Sequence, residues 1–340
     1  MKKMIALVLA LMMLGLSCCA LAEDTLPIGL LSYLNLTEQD SALISNSRSP
    51  AIHILFLNGV LEDNNGVGKH IAEYHYYDTL DAMLMALQAG EVKGISVPYY
   101  TGKYLCALNE GIRTSAEYHP EKVTESARKA LDRISDGYSF MMKEDNAELR
   151  DTFDAQIAAM KEDGTLQKLV DEHIIKVAEG GEPVAVAFEK FEGDPIKVAV
   201  TGSLPPMDYV AADGSFAGFN TAVLAEIGKR LQKNIELVQV DSIGRALALA
   251  EGTVDVVFWT RGQNEAMVKV NKTLDSLSKE EREAGWEKIL ESLGDEEKAT
   301  LEAGMIDKEN MLKYENRDMP AGTIITQPYF SDFPVLLILK

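Results

Sequence analysis

Cysteine is almost missing from this chain. Cys18 and Cys19 fall near its start, and only Cys106 lies beyond. Once the first segment is removed no intrachain disulfide can form, so stability has to come from packing. Histidine is scarce too. The five histidines stand at 53, 70, 75, 119 and 173 and form no recognised metal-ligand set, so neither metal nor cofactor is expected. Positive charge is in deficit, with 33 Lys and Arg against 53 Asp and Glu and a formal net charge of −20. That balance excludes nucleic acid and anionic membrane as electrostatic partners. Catalytic signatures are missing. "GVGKH" at 66–70 lacks the upstream Gly of a phosphate loop and the Ser or Thr after its Lys. "GSFAG" holds its Ser out of place for a nucleophile elbow. No enzyme is expected. After residue 22 no run of about 18 apolar residues occurs, so nothing later reads as a membrane span.

What is present begins with a leader. Lys2 and Lys3 precede the apolar "MIALVLALMMLGLSCCA", and Ala20, Leu21 and Ala22 form a small-x-small site before Glu23 and Asp24. This is the pattern of a secretory signal peptide cleaved after Ala22. Lipid anchoring at Cys18 or Cys19 fits less well, because the residues before them do not form a lipobox. Residues 23–340 would then be a secreted or extracytoplasmic chain, long enough for two lobes.

Two halves meet at "AEGGEPVAVAFEKFEGDP", 178–195, a connector punctuated by Gly and Pro whose "PVAVAF" could form a strand. In the first half, "PIGLLSYLNL", "AIHILFLNGV" and "VKGISVPYY" read as strands. Asp78 or Thr79 caps a helix over "LDAMLMALQAG", which Gly90 closes. "GYSFMMK" is a short strand, and Phe153, Ile157 and Met160 mark the buried face of a following helix. The second half reads β-α-β-α-β: "IKVAVTG", a helix over "TAVLAEIGKRL" capped by Asn220, "IELVQV", a helix over "IGRALALAEG" capped by Ser242, and "VDVVFWT". Residues 262–318 carry more acid than base, and Ser278 and Glu281 form a capping box there. They read as a helical insertion, a solvated ornament or a lid.

"GSLPPMDY", "DGSFAGFN" and "SIGRALALAEGTVDVVF", with "TQPYF" near the end, resemble the opening lobe of the bacterial extracellular solute-binding proteins, family 3, which bind amino acids for ABC transporters. "YYDTLDAMLMALQAGEVKGISVPYYTGKYL" and the stretch 137–174 resemble that family's second lobe and closing helices. The tail therefore precedes the head, as in a circular permutation or in two tandem truncated copies. The resemblance implies an α/β, two-lobed periplasmic-binding-protein-like (type II) fold with a cleft between lobes, at residues 25–136 and 138–340. Under permutation, 137–143 and 333–340 run side by side as crossovers, and the helices of 146–175 pack on the lobe of 196–260.

The resemblance also implies a small polar ligand, an amino acid, an ABC permease as partner, and a monomer. Free N–H groups at helix N-termini would hold an anion such as the ligand's carboxylate. The positions it marks are Ser32, Tyr33, Tyr99, Ser203, Met207, Tyr209, Trp259, Thr260, Arg261 and Tyr329. Three departures stand out. Met207 replaces an aromatic, Arg261 is displaced from the family's carboxylate clamp, and no acid follows "VPYYTG". They keep open a second reading, an extracellular sensory or interaction module with a degenerate site.

Overall fold

The computed structural model describes residues 25–31, 62–63, 71–117, 135–211, 213–241, 244–261 and 322–340, with Pro320 and isolated positions between 277 and 298. "AIHILFLNGV", Ser242 and most of 262–318 lie outside these residues, as does the leader.

The first half opens with β1 (Thr25–Leu31), β2 (Glu62–Asp63) and β3 (Ile71–Tyr77). Helix α1 (Leu80–Ala89) starts at Thr79, whose hydroxyl accepts the Ala82 N–H at 3.2 Å, and stops at Gly90 with φ 78°. Thr79 is one of the two caps expected, and Gly90 is the expected stop. β4 (Gly94–Pro98) follows, but "PYY" does not prolong it: α2 (Tyr99–Leu108) begins at once. β5 (Ile112–Thr114) and β6 (Ala116–Glu117) come after it.

β7 (Asp136–Lys143), α3 (Ala147–Glu162) and α4 (Thr165–Val170) come next, then a π turn, Asp171–Ile175, and Lys176–Ala178. The connector holds no strand, so "PVAVAF" stays irregular. β8 (Ile196–Val200), β9 (Ser203–Leu204), β10 (Asp208–Val210) and β11 (Phe216–Ala217) lead into α5 (Phe219–Leu231). The cap of α5 is Gly218, not Asn220, which lies buried in the first turn. β12 (Ile235–Gln239), α6 (Gly244–Ala250), β13 (Val256–Arg261), β14 (Thr323–Ile325), β15 (Phe330–Asp332) and β16 (Pro334–Leu339) complete the chain. In the insertion, the Ser278 N–H donates to Glu281 Oε2 at 2.8 Å and the Glu281 N–H to Ser278 Oγ at 3.2 Å, the reciprocal capping box.

Two α/β sheets result, with orders β3-β1-β4-β16-β5 and β12-β8-β13-β7-β14. They share one plan. Three parallel strands come first, then an antiparallel strand from the other half of the chain, then a fifth strand antiparallel to that one. This is the two-lobed α/β arrangement. The C-terminal strand departs from expectation. Residues 333–340 do not run beside 137–143, because both edges of β7 are taken, one by β13 and the other by β14 and β15. β16 enters the first sheet instead, between β4 and β5, where Val335, Leu336 and Leu337 are buried. An inner strand has to be apolar on both faces.

Each large sheet has its own core. Leu80, Met83, Leu87, Ile95, Val97, Leu105 and Leu337 fill the first. In the second, Phe153, Ile157, Met160, Leu166 and Ile174 pack with Val198, Val200, Phe219 and Val223. The helices of 146–175 therefore lie on the second sheet.

One polar knot pins these helices together. Arg230 of α5 reaches Asp163 Oδ2 at 2.8 Å, Thr165 Oγ1 at 3.0 Å and Glu226 Oε1 at 2.7 Å. The Thr165 hydroxyl and N–H, then Arg230, hold the Asp163 carboxyl down to about 2. A depressed carboxyl stabilises the fold fully above its unfolded pKa of about 3.9 and loses that contribution as pH falls through the folded value. Arg230→Gln is therefore expected to lower the melting temperature at neutral pH. Its gap to the unaltered protein should close as melts are taken down toward about pH 2. A gap that widened on acidification would contradict this assignment.

Candidate functional site

The candidate site lies where β8 and β13 of the second sheet end and α2 of the first half begins. β8 runs into Thr201, Gly202 and the cis Pro205-Pro206 bond, and the β9–β10 hairpin brings Asp208 back against Thr201. Asp208 Oδ2 accepts the Thr201 N–H at 3.0 Å and its hydroxyl at 3.1 Å. Asp208 is 4 % exposed, and Oδ1 has no hydrogen-bond partner among the described residues. Burial raises its pKa against the pull of the Thr201 and Gly202 N–H groups, the Thr201 hydroxyl and the Arg245 charge. Arg245 of α6 donates from Nη1 to the Phe258 carbonyl at 3.0 Å. Burial brings its guanidinium down to about 10, while Asp208 opposes the fall. The buried Asp208 and the half-buried Arg245 thus lie behind the ends of β8 and β13, where a surface ion pair would be the default role for Arg245.

Tyr209 follows Asp208. Burial, and then Tyr104 of α2, push its phenol up to about 12. Tyr100 of α2 lies 6.0 Å from Phe330 of β15, so the two sheets meet at this end. Ser203 is half-buried and pairs with Tyr209 across the hairpin. Tyr99, the first residue of α2, stacks on Phe333 at 4.9 Å, with Lys103 Nζ 5.8 Å from its ring centre. Trp259, Thr260 and Arg261 are the last three positions of β13, opposite Ser139, Tyr138 and Gly137. Ser32 and Tyr33 lie outside the described residues.

Two of the marked residues lie in the core. Met207 is wholly buried among Phe219 and Val223, and its carbonyl accepts the Asn220 N–H at 2.8 Å. Tyr329 is 3 % exposed, stacks on Phe140 at 4.7 Å and donates its hydroxyl to Asn220 Oδ1 at 2.9 Å. Both pack where they seat the start of α5.

The expected open helix ends are also filled. At α5 the Phe219 N–H donates to the Pro206 carbonyl at 3.1 Å. At α2 the Tyr99 N–H donates to the Phe333 carbonyl at 2.9 Å and the Tyr100 N–H to Asp332 Oδ2 at 3.1 Å. An anion would have to displace the chain's own oxygens to sit there. Asp208, Tyr104 and Asp332 escaped the sequence reading because each depends on contacts that no local motif marks. Among the described residues no group of His, Cys, Asp and Glu is placed to hold a metal, and no helix is long and apolar enough to cross a membrane. Cys106 is half-buried, and burial pushes its thiol up.

No curated protein matches the chain. Three solved structures illustrate what it is similar to. The VFT2 domain of BvgS from Bordetella pertussis, as a double mutant, is 10% identical, with 93% of this chain and 80% of that one covered and a TM-score of 0.33. The arginine-bound form of truncated ArgBP from T. maritima is 10% identical, with 93% and 88% covered and a TM-score of 0.34. The amino acid ABC transporter substrate-binding protein AbpA from Streptococcus pneumoniae, bound to L-arginine, is 11% identical, with 94% and 83% covered and a TM-score of 0.34. A family model matches residues 196–266, from β8 past the end of β13. This segment is thus of the kind found in the bacterial extracellular solute-binding proteins, family 3.

Proposed function

We propose that this chain is a secreted solute-binding protein that takes a small polar ligand of the amino-acid class for an ABC transporter. The family match over 196–266 carries this reading, and the leader supports export. Tyr209 and Ser203 on the second sheet, Tyr99 and Tyr104 on α2, and the end of β13 with Arg261 would line the site. The Arg261 guanidinium would hold a carboxylate by a bidentate clamp.

The family's order is permuted under this reading. β1 to β6 with β16 form its second lobe, and β7, the helices after it and β8 to β15 form its first. The shared plan of the two sheets supports this. So does the register at β4, where Ile28 pairs with Gly94 and Leu337 with Ile95. β1 is parallel to β4 and β16 antiparallel, so the start of β1 and the end of β16 point to one end of the sheet. A short bridge there would restore the family's order.

A thermal-shift screen tests the function. At about a hundredfold excess over Kd, a ligand that binds only the folded protein adds about 2.7 kcal/mol. Arginine, glutamate or another amino acid is expected to raise the melting temperature, and Arg261→Ala to abolish the rise. No shift with any amino acid at millimolar concentration would sink the reading. It would favour the sensory or interaction module, for which the filled helix ends and the burial of Met207 and Tyr329 speak.

A further inference from the structure

The connector has the shape of a strand without a strand's partner. From Pro183 to Glu189 exposure alternates residue by residue, with Val184, Val186 and Phe188 half-buried and the odd-numbered residues exposed. That is the period of a β-strand. Yet among the described residues no backbone N–H or carbonyl from Glu182 to Lys190 makes a hydrogen bond.

The segment is nevertheless fixed at both ends. The Gly181 N–H donates to the Lys176 carbonyl at 2.9 Å. Asn234 clamps Phe191, its Oδ1 accepting the Phe191 N–H at 2.9 Å and its Nδ2 donating to the Phe191 carbonyl at 2.7 Å. Between these ties Phe188 packs against the second core, and Glu189 meets Lys229 at 3.4 Å. The chain has already ordered this backbone, so a partner strand does not bear that cost.

The order of residues favours one partner, the same segment of a second copy. Laid antiparallel to itself about Val186, the segment sets Glu182 opposite Lys190, Val184 opposite Phe188 and Ala185 opposite Ala187. Opposite charges then meet at each end, with apolar pairs between them. Sliding the register by two residues sets Glu182 against Glu192 in one direction and against Phe188 in the other. Pro183 fits as well. Alternate residues of an antiparallel strand aim their N–H and carbonyl at the partner. With Val186 hydrogen-bonded to Val186 across the two-fold axis, the even-numbered residues face the partner, and Pro183, which has no N–H, lies on the far edge. That edge is broken by the proline, so pairing closes at two strands instead of growing into a fibre.

We propose that Glu182–Lys190 is a dimerisation strand, which pairs antiparallel with its counterpart in a second copy of this chain. The resemblance implies a monomer; the unpaired backbone points to a two-fold dimer joined through the second halves. This pairing does not depend on what the candidate site binds.

The test uses the mature chain without ligand. Sedimentation velocity reads the oligomeric state, and hydrogen exchange by mass spectrometry reads the connector. A dimer is expected to appear between about 1 µM and 1 mM, and exchange in peptides covering 182–190 should slow by about tenfold as it forms. Val186→Pro removes the central N–H and should abolish the dimer. It should leave the melting temperature of the monomer nearly unchanged, because no backbone bond is lost there. Ala185→Pro, on the far edge, should still dimerise. Glu182→Lys and Lys190→Glu should each weaken association by about fivefold, and the double variant should restore it. A chain that stays monomeric at millimolar concentration would overturn the dimer, as would a dimer indifferent to Val186→Pro. Protection of 182–190 that persists on dilution would place a strand of the same chain there and overturn it too.

Discussion

Leu337→Ala is expected to destabilise the protein by about 2–5 kcal/mol and to loosen the first sheet before the second. The magnitude is that of removing a fully buried leucine from a packed core, and Leu337 is 0 % exposed. The order of events follows from topology. Leu337 pairs with Ile95 of β4 on one side and with Thr114 of β5 on the other. β5 has no other partner in that sheet, so it leaves when β16 loosens. Its neighbours in the core are Met83, Leu87 and Leu105, which belong to the first half. Denaturant melts would read the total loss, and peptide-resolved hydrogen exchange would show where it falls. Equal loss of protection in α3 and α5 would contradict the separation of the two cores.

Gly218→Ala is expected to cost about 3 kcal/mol or more. Gly218 precedes α5 with φ 103° and ψ 174°, a conformation in which any side chain is strained. Steric overlap adds to this. A Cβ there would stand 2.6 Å from the Met207 carbonyl oxygen and 2.8 Å from that of Pro206. These two oxygens accept the Asn220 and Phe219 N–H groups, so pushing them aside unseats the start of the helix. Gly214 is the control, with φ 83° and nothing within 4 Å of a Cβ. Gly214→Ala should cost only about 1–2 kcal/mol, the price of a left-handed conformation alone. Equal urea midpoints for the two variants would refute the overlap at Gly218.

These positions show which parts of the molecule could be read along the chain. Thr79, Gly90 and the Ser278–Glu281 box were legible because each cap bonds within a few residues. The alternation of strands and helices from β8 to β13 was legible for the same reason. The start of α2 was not. Its capping oxygen belongs to Asp332, 232 residues away, so "VPYY" looked like the end of a strand. Asn220 looked like a cap, but Gly218 takes that place and Asn220 is spent on Tyr329. The partner strands of β7 and β16 were misjudged because an apolar strand records that it is buried and not where. The site is the least legible part, since a core residue such as Met207 or Tyr329 and a lining residue differ in sequence by nothing and in structure only by the direction they face.

The donated strand also governs how the protein is made. β4 leaves the ribosome well before β16, whose Pro334 pairs with Pro98. At about 5–20 residues per second the gap lasts roughly 10–50 s. Through that interval the nascent first half holds β1, β3 and β4 with one side of β4 open, while Ile95 and Val97 await Leu337 and Val335. An open apolar edge recruits other chains. The second sheet meets no such delay, because β7 precedes β8 and β13 and is waiting when they emerge. Biogenesis is thus asymmetric. The half completed first in sequence is completed last in structure, and it is the half that a chaperone would have to hold.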